Sequence, residues 1–124
     1  VDKREALVDA LAEYSGFRDP LHKLYRLRNP VGLKAFYPWQ PKDDDGFRAF
    51  KRFVDGYTSL YYDLGVKCRG ESNSGLRADS PLSELVKVFG MKEETTRYIV
   101  KFLRKALDDS TLSEETPLSF FVEE

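Results

Sequence analysis

Apolar residues return every three or four positions along most of this chain and almost nowhere alternate with polar ones, which is the period of helices and not of strands. Asp2 with Glu5 has the pattern of a capping box. Leu7, Ala10, Leu11 and Tyr14 follow at helical spacing until Gly16, so a first helix is expected over about 2–15. Asp19-Pro20 reads as an N-cap with a first-turn proline. It opens a short second helix whose apolar side is Leu21, Leu24, Tyr25 and Leu27, stopped by Asn29-Pro30. Val31 to Lys42 has no period. Phe36, Tyr37 and Trp39 stand there among prolines and a glycine, and the expectation is an ordered irregular segment held to the core by its aromatic rings.

The longest periodic run extends from Asp45 to about Val66, with Phe47, Phe50, Phe53, Val54, Tyr57, Leu60, Tyr61 and Leu64 mostly three or four apart, and it predicts a central helix. Asp43, Asp44 and Asp45 suit the amino end of such a helix through its dipole; consecutive side chains do not readily converge on a magnesium ion, so the dipole is the preferred reading. Gly56 inside this run costs about 1 kcal/mol against alanine and marks a close crossing or a bend. Residues 68–79, CRGESNSGLRAD, form a polar loop. Ser80-Pro81 restarts a helix that carries Leu82, Leu85, Val86 and Phe89 to Gly90. A further helix is expected from about Lys92 to Leu107, with Thr96, Ile99, Val100, Leu103 and Ala106 at helical spacing. The acidic segment 110–124 closes in Phe120-Phe121, as a short terminal helix or an extended tail docked by its phenylalanines. With no repeat and no useful strand pattern, the class is all-α: one domain over 1–124, a bundle of five or six helices.

Composition narrows the chemistry. A chain of 124 residues fits one core, and 41% hydrophobic residues suffice to fold it although 33% are charged. One cysteine, Cys68, and one histidine, His22, exclude an internal disulfide and a zinc site of thiolates and imidazoles. A reducing, intracellular compartment, the cytoplasm, is the natural reading. No apolar stretch approaches the ~20 residues that cross a bilayer, so no membrane partner is expected. The net charge of −1 hides an asymmetry: residues 16–40 carry five positive charges and one negative, while 111–124 carry four negative and none positive. A mildly basic interior between acidic ends allows an anionic partner.

For catalysis the sequence offers little. There is no phosphate-binding glycine loop, GxSxG, HExxH or EF-hand spacing. His22 reads as a structural histidine and Cys68, between Lys67 and Arg69, as an incidental thiol. No enzyme activity, metal or cofactor is expected. Residues 81–101, PLSELVKVFGMKEETTRYIVK, resemble a helix-turn-helix unit: a short helix, a turn at Gly90, and a second helix turning Thr96 and Ile99 inward. That family usually has a small residue in the place of Val86 and a branched aliphatic in that of Thr96. The resemblance implies a recognition helix led by Lys92, Glu93 and Glu94, with Arg97, Tyr98 and Lys101 farther along its exposed side; the two glutamates would repel phosphates.

Basic residues cluster at helical spacing elsewhere as well. Arg48, Lys51 and Arg52 predict a ridge on the central helix, Arg97, Lys101, Arg104 and Lys105 a second on the late helix, and Arg18, Lys23, Arg26, Arg28 and Lys34 a cluster around helix two. Ordinary solvated faces explain them equally well. The leading functional reading is a non-enzymatic module contacting nucleic acid through Arg48, Lys51, Arg52, Arg97, Lys101, Arg104 and Lys105, as an accessory subunit of a larger nucleoprotein complex. Tyr62 would stack on a base, since Tyr57 and Tyr61 belong to the apolar side. The alternative is a protein-interaction domain, drawn from 17 Phe, Trp and Tyr residues, with Phe36, Tyr37, Trp39, Phe120 or Phe121 in the contact patch; core filling is the preferred reading of those rings.

Overall fold

The computed structural model describes residues 2–123. Among them are five α-helices, α1 Lys3–Tyr14, α2 Lys23–Leu27, α3 Phe53–Cys68, α4 Leu82–Val88 and α5 Thr95–Ala106, followed by a 3-10 helix over Leu118–Val122. Isolated bridges are the only β pairing there. The chain is helical, as its periodicity indicates.

Helix α1 begins at Asp2, whose carboxylate accepts the amides of Arg4 and Glu5 and also the Tyr61 hydroxyl at 2.7 Å. These bonds stabilise the charged form and hold the Asp2 carboxyl below its ordinary range. Ala6, Leu7, Val8, Ala10, Leu11 and Ala12 are all buried. Burial on that many positions means neighbours on several sides: α1 packs against α3, α5 and the 3-10 helix. The alanines keep those approaches short.

Helix α2 starts later than Asp19-Pro20 suggests. Asp19 turns the chain instead, accepting the Leu21 amide on its side chain, and His22 is the N-cap, its Nδ1 accepting the Leu24 amide at 3.1 Å. Arg28 in a left-handed conformation (φ 55°) ends the helix.

The segment after it departs most from expectation. Phe36 and Trp39 are 80% and 75% exposed, and Tyr37 is exposed too, so the rings do not hold this segment to the core. Two buried amides do. Asn29, fully buried, donates to the carbonyls of Leu33 and Arg48 and accepts the amides of Gly32 and Leu33 on its side-chain oxygen. Gln40 accepts the amides of Phe36 and Tyr37 on Oε1. Antiparallel bridges Lys34↔Phe47 and Lys42↔Arg48 complete the lacing.

That lacing delays α3 to Phe53, eight residues beyond the expected start at Asp45. The amides of Arg48, Ala49 and Phe50 go sideways, to the carbonyls of Leu33, Pro41 and Leu27, and are unavailable for a helical turn. Asp43 to Asp45 therefore form a tight turn, with Asp43 Oδ1 accepting the amides of Asp45 and Phe47. Within α3 the buried stripe is Gly56, Leu60, Leu64, Gly65 and Cys68. Gly56 is a close crossing: a Cβ there would collide with the Arg28 carbonyl and touch Pro30.

Helix α4 gets its first-turn partners from the distant C-terminal segment. Leu82 and Ser83 donate to the carbonyls of Thr116 and Glu114, and Leu118 and Ser119 return bonds to Ser80 and Ala78. Gly90 (φ 76°) makes the turn, and α5 starts at Thr95, with Lys92-Glu93-Glu94 forming a turn ahead of it. Ile99, Val100 and Leu103 are buried on α5. The terminal phenylalanines dock through a 3-10 helix: Phe121 is buried, while Phe120 is half-buried beneath the Lys3 ammonium, 4.3 Å from its ring centre.

Two substitutions test this account by urea unfolding. Asn29→Ala removes four hydrogen bonds to the backbone, strands the Gly32 and Leu33 amides and the Arg48 carbonyl, and is expected to cost about 3 kcal/mol. Thr96→Val is expected to stabilise by about 1 kcal/mol, because the Thr96 hydroxyl is buried with no hydrogen-bond partner among the described residues.

Candidate functional site

The basic residues named from sequence separate into two groups. Arg97, Lys101, Arg104 and Lys105 are all exposed on α5, opposite its buried Thr96, Ile99 and Leu103. None of the four forms an ion pair with a described residue. Arg104 is aimed by its own chain, its Nε donating to the Leu112 carbonyl at 2.7 Å. Arg97, Lys101 and Arg104 line one shallow cleft of about 370 Å³ with Ser113 and Glu114. Lys105 follows one residue later on the same helix. Glu114 is the carboxylate of that cleft.

Arg48, Lys51 and Arg52 do not form a helical ridge, because all three precede the first residue of α3. Arg52 is the N-cap residue and its guanidinium holds Asp55 through Nε and Nη2, at 3.2 and 2.9 Å. Arg48 is half-buried, with its guanidinium 4.7 Å from the Phe50 ring centre. Lys51 is exposed and makes no such contact among the described residues. Arg48 lines a different cleft from the α5 group, one formed with Lys34, Phe36, Lys67 and the Phe89-Gly90 turn.

The cluster around α2 is largely engaged within the fold. Arg18 pairs with Glu13, Lys23 with Asp45 and Asp43, and the Lys34 ammonium donates to the Asp45 carbonyl while lying 3.9 Å from the Phe47 ring centre. The Arg28 guanidinium lies over Phe53.

The aromatic rings expected against the core stand in solvent instead. Tyr37 and Trp39 stack with ring centres 5.4 Å apart and planes 4° from parallel, and the Gln40 side chain fixes the backbone beneath them. Three adjacent large rings in water form a surface of the kind that marks contact with another molecule. Pro38 and Pro41 in FYPWQP are the available signal for a projecting turn. Tyr62, chosen for stacking, is indeed 66% exposed, but it opens onto a groove that also contains Asp2, Glu5 and Asp9, a poor setting for a polyanion.

The reactive side chains are in inert settings. Cys68 is fully buried and desolvation pushes its thiol up to about 12, against the weaker opposing pull of Arg4, Lys67 and Arg69. Among the described residues no three of His, Cys, Asp and Glu converge as metal ligands, and no helix is long and apolar enough to cross a membrane. No family model matches the chain, and comparison with curated proteins and with solved structures gives no match either.

Burial and the raised pKa of Cys68 have a direct consequence in solution. At pH 8 the native protein should react with an aromatic disulfide reagent at least a hundredfold more slowly than free cysteine does, and one equivalent of thiol should appear at once in denaturant. Rapid native labelling would contradict the packing described.

Proposed function

We propose that this chain is a non-enzymatic intracellular helical domain that contacts nucleic acid through the exposed face of α5, as an accessory subunit of a nucleoprotein assembly. The observation that carries the reading is the set Arg97, Lys101, Arg104 and Lys105, four cations on one helix with no carboxylate partner among the described residues. In a chain of net charge −1, where Arg18, Lys23, Arg52, Lys67, Arg69 and Arg77 are each paired, that concentration supports phosphate binding.

Within this reading α4, the Gly90 turn and α5 act as a helix-turn-helix-like hairpin in a bundle. Its contact is with the sugar-phosphate backbone and not with base edges. Glu93 and Glu94 lie in the turn ahead of α5, where a recognition helix would first meet the groove, so contact is shifted to the middle and end of the helix. Lys51 adds to the binding from outside α5. Arg48 and Arg52 contribute less, since each would first leave the contact it already makes. The Phe36, Tyr37 and Trp39 loop supplies the stacking surface in place of Tyr62.

The second reading, a protein-interaction domain without nucleic-acid binding, is favoured by that same aromatic loop, because Trp and Tyr dominate the energetic centres of protein interfaces. Trp39 is the only tryptophan and is well exposed, so its fluorescence separates the two. Quenching by single-stranded oligonucleotide assigns the loop to bases. An unchanged spectrum assigns it to a protein.

The decisive titration follows labelled single-stranded DNA, duplex DNA and RNA at two salt concentrations. Binding is expected to weaken as salt rises. The triple variant Arg97→Gln/Lys101→Gln/Lys105→Gln is expected to bind at least tenfold more weakly, with a log–log salt slope lower by about 2–3. Arg104 is left in place because it also holds the Leu112 carbonyl. Equal binding by the triple variant, or no binding of any strand by folded protein, would overturn the proposal.

A further inference from the structure

A cleft of about 740 Å³ runs between α1 and α3, and its two walls differ in chemistry. On the α3 side stand Val54, Thr58 and Tyr62, one turn apart, with the rings of Tyr57 and Tyr61 behind them. Val54 is 55% exposed, so this helix presents a second apolar stripe beside the Gly56, Leu60, Leu64 stripe that it buries. On the α1 side stand Asp2, Glu5 and Asp9, with Val8 between them.

The charge of this cleft is all of one sign, since no lysine or arginine lines it among the described residues. Asp2 is occupied with helix amides and the Tyr61 hydroxyl. Glu5 and Asp9, four residues apart on one face of α1, have no ion-pair partner among the described residues. Two cations border the cleft through its rings without pairing with Glu5 or Asp9: the Arg4 guanidinium lies 4.5 Å from the Tyr61 ring centre, and Arg18, paired with Glu13, lies 5.8 Å from the Tyr57 ring centre. An apolar wall facing a carboxylate wall is complementary to one shape in particular. That shape is a helix with an apolar stripe and lysines or arginines along one border.

We infer that the α1–α3 groove docks a basic amphipathic helix of a partner protein, with its apolar side chains on Val54, Tyr57 and Tyr62 and its cations against Glu5 and Asp9. From Val54 to Tyr62 the floor is about 12 Å long, which accommodates a little over two turns of a docked helix. The same carboxylates repel nucleic acid, and the groove shares no lining residue with the cleft on α5, so both surfaces can be occupied at once. The inference does not depend on the nucleic-acid reading.

The probe is a labelled 14-residue peptide of leucine and lysine at helical spacing, paired with a control in which every lysine is glutamate. Titration into the full chain is expected to give micromolar affinity for the lysine peptide and at least tenfold weaker binding of the control. Amide shifts in a nitrogen-15 correlation spectrum should map to residues 5–9 and 54–62. Glu5→Gln/Asp9→Asn and, separately, Val54→Ser/Tyr62→Ser should each weaken binding at least fivefold; all four side chains reach the solvent-lined cleft, and an unchanged thermal melt checks that the fold is kept. Arg97→Gln/Lys101→Gln should leave peptide affinity as it is. Equal binding of the two peptides, shifts that map elsewhere, or wild-type affinity in both groove variants would overturn the inference. So would a dimer in sedimentation that Val54→Ser/Tyr62→Ser dissociates, since a second copy would then be the occupant.

Discussion

The course of the chain between its second and third helices depends on one buried amide, Asn29. It satisfies four backbone groups in a stretch that has neither helix nor sheet to do so, and it is placed where the chain crosses α3 at Gly56. A side chain at Gly56 would force the crossing apart, and an apolar residue at Asn29 would leave the loop unable to bury its polar backbone. Once these two residues hold the loop against α3, the amides of Arg48, Ala49 and Phe50 meet carbonyls from elsewhere in the chain and α3 cannot extend back over them. The aromatic loop, the start of α3 and the dispersal of Arg48, Lys51 and Arg52 all follow from that arrangement.

Charge is then sorted by which faces are left uncovered. Near-neutral in sum, the chain has a basic face on α5 and an acidic edge on α1, each without ion pairs among the described residues, and the two lie on different clefts. Several other cations are matched by carboxylates close in sequence or across the loop, as in Lys67 with Asp63 and Lys23 with Asp45. An exposed pair such as Lys23 with Asp45 adds little to stability. The consequence of such pairs here is subtractive: Arg18, Lys23, Arg52, Lys67, Arg69 and Arg77 each already hold a carboxylate, whereas the four α5 cations hold none among the described residues.

Much of the fold is legible along the chain. The helical class, the extents of α1 and α4 within a residue or two, the polar loop after Cys68, the Gly90 turn and the docking of Phe121 are carried by local spacing and by cap and turn residues, which act within four positions of themselves. The α5 cations were legible for the same reason, since a strongly amphipathic helix has one way to face its core. The meaning of Gly56 was half legible, as a crossing or a bend without its partner.

What only the tertiary structure decided lies where local and distant hydrogen bonds compete for the same amides. Phe47, Phe50 and Phe53 have helical spacing, yet carbonyls of Leu27, Leu33 and Pro41 take the amides that a helix would have used. Phe36, Tyr37 and Trp39 have the composition of a core but are held outside it by Gln40 and the bridges around them. Tyr62 was recognised as exposed, but the acidic wall opposite comes from a helix some fifty residues earlier. Sequence determined which segments repeat with the period of a helix, because that property is local. Which faces stayed open, and what charge stands opposite them, was decided by packing between distant segments.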